Sequence, residues 1–140
     1  KSRFIDLQRD KSSFKRKNIK WGDQDYMKKD VSVFLKHIME NIKDIESFSK
    51  GLSRKELETN RLKQKAIIRS IEIIGEAVKN IPLSFREKYP DVAWKVIAGM
   101  RDKITHHYFG IDLNTIWDVI KKDLPDLKKK IEKILENLEK

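Results

Sequence analysis

This sequence predicts an all-α fold, an antiparallel up-and-down bundle of helices, and three observations carry that prediction. From Tyr26 onward apolar residues recur at spacings of three and four, which puts them on one side of a helix. No stretch alternates with the period of two that a half-buried strand would need. The breaks between periodic stretches are short and carry Gly, Pro or capping residues, and short connections between long helices favour antiparallel neighbours.

The chain has 140 residues, enough for one domain that buries about 68–70% of its unfolded surface without staples. It contains no cysteine, which excludes thiolate chemistry and Cys-based zinc sites and suits a reducing cytoplasm. No apolar run approaches the roughly 18 residues of a membrane span, and nothing resembles a signal peptide, so the expected location is cytoplasmic and off the membrane. The formal charge of +10 tilts the choice of partner toward polyanions such as RNA. A Lys- and Glu-rich solvated surface, common in thermophile proteins, accounts for the same composition.

Residues 1 to 25 hold eight Lys/Arg against four Asp/Glu, few aliphatics and no helical stripe. They read as an appended basic arm, native or a cloning remnant, that either wanders or packs on a neighbour through Phe4, Phe14 and Trp21. An arm whose Lys15-Arg16-Lys17 run touches RNA is the alternative. The bundle domain is expected over 26–140.

Met27, Val31, Phe34, Leu35, Ile38, Met39, Ile42 and Ile45 mark a first helix of about 20 residues, ended by Gly51. His37 sits beside this stripe with no acid or second histidine arranged around it, as a surface or boundary residue does. Ser53 and Glu56 fit a capping box. The next long helix runs from about Asn60 to Ile81, and its apolar positions, Leu62 among them, cover more than one face, so it is expected to be central. Gly75 in its middle weakens the helix by about 1 kcal/mol relative to Ala and predicts that another backbone passes close by. Arg69, Glu72 and Glu76 form a polar stripe on it, either an exposed ion-pair ladder or the border of a cleft.

Pro82 and Pro90 bracket a short helical turn, after which Asp91 is placed to cap a helix with Trp94, Ile97, Met100 (or Arg101) and Ile104 along its inward edge. Asp112 caps the last helix, whose period holds from Leu113 to Leu138 and which Pro125 should kink or restart.

Chemistry concentrates in Gly99 to Gly110, where Arg101, Asp102, His106, His107 and Tyr108 fall within one short amphipathic segment. At about 100° per residue, Arg101, Ile104 and Tyr108 share a stripe, whereas His106 lies about 140° round from Arg101. A shared site then needs Arg101 to reach round, the helix to loosen near Gly110, or a second copy of the segment from another chain.

Arg101-Asp102-x₃-His106-x-Tyr108 resembles the Arg-x₄-His-x-Tyr motif of the HepT family, the HEPN-domain toxin half of toxin–antitoxin pairs with a minimal nucleotidyltransferase. The context carries the likeness further: Ile67 to Ala77, Arg86-Glu87-Lys88-Tyr89-Pro90, Trp94, Ile97 to Asp102 and Tyr108 to Leu113 follow the family in order and spacing. The likeness covers about Tyr26 to Leu138.

That resemblance implies a HEPN-like bundle that dimerises, with two copies of the motif about a shared cleft, and a metal-independent endoribonuclease with no cofactor. It implies Arg101 and His106 as the catalytic pair, with Asp102 in the polar slot after the arginine and His107 as a second imidazole in a variable slot. Arg69 and Glu76 are the supporting residues expected at the cleft. Tyr108 matches the tyrosine that a cognate nucleotidyltransferase antitoxin modifies with AMP. The physical chemistry agrees: RNA supplies its own 2′-OH nucleophile, a histidine near its ordinary pKa of about 6.5 can carry a proton, and a guanidinium matches phosphate oxygens. One histidine per chain serves only one proton role, and a dimer supplies two. Two other classes fit the same residues. One is a non-catalytic helical module that binds a nucleotidyltransferase partner or a nucleotide, with Arg101 holding an anion. The other is a capped core helix with a solvated polar edge.

Overall fold

A computed structural model describes residues 23–105 and 112–139, with side chains for 30–104 and 112–139. The expectations for the N-terminal arm, for His106, His107 and Tyr108, and for Gly110 as a helix stop lie outside the described residues. The chain divides into two compact units, Lys1–Asp30 and Val31–Lys140. Every regular element among the described residues is a helix, so the all-α expectation holds. None of these helices is long and apolar enough to cross a membrane.

Helix α1 (Asp23–Ser49) has 27 residues, longer than the apolar stripe indicates, because helix propagation needs only backbone bonds once a packed nucleus exists. Its stripe from Val31 to Ile45 is buried and His37 is exposed. The Ser49 hydroxyl donates to the Ile45 carbonyl at 2.7 Å, and Gly51 turns the chain at φ +69°, a left-handed conformation that costs glycine little. The capping box forms as expected: Glu56 N–H donates to Ser53 Oγ at 3.1 Å and Ser53 N–H to Glu56 Oε1 at 2.8 Å, opening α2 (Arg54–Thr59).

Helix α3 (Arg61–Lys79) begins at Asn60, whose side chain accepts from Lys63 N–H. Ile67, Ile71, Ile74, Ala77 and Val78 are buried, which makes α3 the central element expected. Leu62 departs from expectation and is 79% exposed, because it stands about half a turn of the wheel from Ile71. The buried Gln64 amide donates to the Leu57 and Glu58 carbonyls, and the Arg86 guanidinium to those of Val78 and Ile81, so polar side chains close the ends of α2 and α3.

Helix α4 (Leu83–Arg86) follows Pro82. The segment then expected as one helix is two, α5 (Trp94–Ala98) and α6 (Met100–Thr105), broken at Gly99. Asp91 is not its cap: Ala93 occupies that position with no side-chain bond, and Asp91 instead accepts Lys130 Nζ on its carbonyl at 2.7 Å. Trp94 is held by its indole N–H, which donates to the Tyr89 carbonyl at 3.0 Å. Trp94, Ile97, Met100 and Ile104 are buried and Arg101 is exposed, so Met100 takes the inward position.

Asp112 caps α7 (Leu113–Asp118) through Thr115 N–H. A π-helical segment, Val119–Asp123, joins it to α8 (Leu124–Glu139). Pro125 explains the widened turn: its ring would meet the Lys121 carbonyl in a regular α-turn, and the chain answers with a Leu124 N–H to Val119 bond five residues back. Two pairings run antiparallel, α1 with α8 and α3 with α5 and α6. Glu46 pairs with Lys128 at 3.1 Å while Lys36 and Met39 face the far end of α8 across a groove, and Gly75 and Glu72 stand opposite Ala98 and Arg101.

Candidate functional site

Gly75 fixes the geometry here. A β-carbon at that position would stand 3.2 Å from the Ala98 carbonyl oxygen and 3.7 Å from that of Ile97, so only glycine lets α3 and α5 approach this closely. Gly99 then breaks the helix, with φ −98° and ψ 4°, and α6 starts on a new axis still packed on α3. The result brings Arg101, on α6, over Glu72, one turn before Gly75 on α3.

Arg101 Nε donates to Glu72 Oε2 at 3.0 Å. Glu72 also takes Arg69, at 3.6 Å from Nη1 to Oε1, so one carboxylate lies between two guanidinium groups. Asp102 sits 3.7 Å from Arg101 Nη1. The Arg101 side chain is 52% exposed and that of Glu72 31%, so the pair contributes at most about 0–1 kcal/mol to stability. Its effect is on geometry: anchoring at Nε sets the plane of the guanidinium, whose terminal nitrogens carry the fork of donors that matches phosphate oxygens.

Among the described residues, the two arginines and two carboxylates of this cluster carry no net formal charge.

The segment after α6 leaves at Ile104 and returns at Asp112, where Asp112 N–H donates to the Ile104 carbonyl at 2.8 Å. His106, His107 and Tyr108 fall between these two residues in the sequence and lie outside the described residues.

Of the expected supporting residues, Arg69 reaches the cluster through Glu72, whereas Glu76 pairs with Lys79 at 3.4 Å. Glu72, a member of the polar stripe that borders the cleft on the functional reading but not one of the expected supporting residues, is the one that meets Arg101. A separation of 29 positions hides the pairing, and the mid-helix Gly75 is the available signal.

The model of a family described as Ribonuclease HepT-like matches residues 38–134. A Methanocaldococcus jannaschii protein named "Gamma-glutamylcyclotransferase and putative RNase" is 50% identical over 114 residues, 81% of this chain and 51% of that protein, so the match spans about half of that relative's length. Another from the same organism, named a "Putative RNase", is 49% identical over 112 residues, 80% of this chain and 93% of its own. A Thermococcus cleftensis protein named "Probable ribonuclease HepT" is 42% identical over 108 residues, 77% of this chain and 98% of its own. No solved structure matches significantly. With more than two thirds of its length matched by the family model, the chain belongs to the HepT-like ribonuclease family.

Proposed function

We propose that this chain is a metal-independent endoribonuclease, the toxin half of a toxin–antitoxin pair, cutting RNA at Arg101 and His106. The observation that carries the reading is the exposed Arg101 guanidinium, held by Glu72 at 3.0 Å and five positions before His106 in the sequence. In the reaction the 2′-oxygen attacks the adjacent phosphorus, its proton passes to a neutral imidazole, and the bond to the 5′-oxygen breaks as an imidazolium protonates it. The products are a 2′,3′-cyclic phosphate and a 5′-hydroxyl. Arg101 stabilises the charge that gathers on the phosphorane, and the imidazole's proton transfer contributes about 10²–10⁴-fold.

The two proton roles call for two histidines, which a dimer provides. The outer face of α3 supports that assembly. Leu62, Ala66, Arg69, Ile73 and Glu76 alternate at four and three, a stripe suited to pairing with a second helix. Two copies crossing antiparallel between Glu72 and Ile73 would set Arg69 of each against Glu76 of the other, with both Arg101 side chains flanking the twofold axis.

Silencing follows from the same charge. A cognate nucleotidyltransferase would place AMP on Tyr108: the phenol oxygen attacks the α-phosphate of ATP, pyrophosphate leaves, and the phenol proton goes to solvent or a base. The resulting anion competes with RNA for Arg101.

The test is incubation with total RNA in EDTA. Cleavage that disappears in both Arg101→Ala and His106→Ala supports the reading. Cleavage retained in both sinks it, and growth arrest on expression without the nucleotidyltransferase separates a toxin from a silent binding module.

A further inference from the structure

Glu72 carries more than a surface ion pair. It is half-buried, it lies one turn from Gly75, where α3 comes close to the α5 backbone, and it holds Arg101 by Nε at 3.0 Å while a second arginine, Arg69, steadies its other oxygen at 3.6 Å. A carboxylate beside a phosphate-binding arginine is costly for affinity, since it cancels charge that RNA would otherwise use. What it offers in exchange is orientation. A guanidinium on three rotatable methylenes samples many rotamers, and one bond at Nε from a carboxylate on another helix removes most of that freedom before substrate arrives.

We propose that Glu72 is the positioning residue for Arg101: it fixes the guanidinium plane so that the terminal donors meet the phosphorane, at the expense of ground-state RNA affinity. This rests on the nuclease reading above. It assigns to α3 a function in the reaction, through Arg101 and without touching substrate.

Three variants test it in the full-length protein. Glu72→Ala should lower kcat by about 10- to 100-fold, the scale of a misplaced catalytic group, while KM stays level or falls and RNA carrying 2′-O-methyl groups throughout, which lacks the nucleophile, binds more tightly. Glu72→Gln, whose amide oxygen still accepts the Nε proton, should recover most of kcat. In an Arg101→Ala background Glu72→Ala should cost nothing further, because both act through one group.

Loss of kcat with a rise in KM, equal losses in the Ala and Gln variants, or additive losses on top of Arg101→Ala would each overturn the proposal. An unfolding artefact is excluded by the KM and binding arms, since a partly unfolded sample does not gain affinity. The arginine itself is read separately by nitrogen-15 NMR: its Nε–H signal should be protected in the wild type and in Glu72→Gln and lose protection in Glu72→Ala. That readout stands whether or not RNA is cut, so wild-type protein inert on RNA would remove the nuclease reading and leave Glu72's hold on Arg101 decided by the spectrum.

Discussion

The Ala98 carbonyl oxygen lies 3.2 Å from the point where Gly75 would carry a β-carbon, and one turn along Arg101 Nε donates to Glu72 at 3.0 Å. Three positions separate Gly75 from Glu72 and Ala98 from Arg101, so the two pairs lie one turn apart. Wedging the helices apart at the first pair lengthens the second.

Gly75→Ala gains up to about 1 kcal/mol of helix propensity and meets a backbone carbonyl that must yield a few tenths of an ångström, so its stability should stay near wild type. Gly75→Val adds branched bulk against the same carbonyl and should destabilise by about 1–3 kcal/mol. Thermal melts of the two variants, with RNA cleavage measured below their transitions, check both. A stable, fully active Gly75→Val protein would show that the close approach does not position Arg101.

Arg101→Lys keeps the charge and loses the fork and the Nε–H. Cleavage should fall by about 10²–10³-fold, the scale of removing one preorganised donor, with an unchanged melting temperature because the side chain is half in solvent. Near-normal turnover in Arg101→Lys would reduce its role to simple charge.

If two copies pair through α3, Arg69→Glu and Glu76→Arg should each weaken the dimer in analytical ultracentrifugation, and the double variant, which restores opposite charges across the axis, should recover it. A monomeric wild type, or a dimer indifferent to both reversals, rules that surface out.

The α2 capping box supplies a pH-dependent term. The Ser53 backbone N–H, then its hydroxyl, hold the Glu56 carboxyl below its ordinary value. A carboxyl lowered on folding stabilises above the unfolded value of about 4.3, and that contribution disappears as pH falls through the lower folded value. Ser53→Ala should therefore melt a few degrees below wild type at neutral pH, and the gap should narrow below about pH 4. A gap that widens on acidification would contradict the assignment.

Much of this architecture is written in short-range chemistry. The stripe from Val31 to Ile45, the Ser53–Glu56 box, the Asp112 cap and the interruption at Pro125 each depend on residues within one or two turns, and such signals act wherever the segment lies. Even the tight contact at Gly75 is announced locally, by a residue that costs the helix stability and so calls for a neighbour.

The site needed three dimensions. Arg101 could be placed on a helix face from spacing alone, but whether Glu72, Glu76 or neither would meet it depended on how far two backbones approach and where Gly99 redirects the chain. Leu62 on the outside and Asp91 away from any cap have the same origin: periodicity ranks positions around one axis and carries no information about which sides of that axis other helices cover. Sequence alone determined the all-α class, the long helices and the identity of the chemical groups. Only the tertiary structure chose the carboxylate that holds the arginine, because a bond across 29 positions is decided by packing and not by propensity.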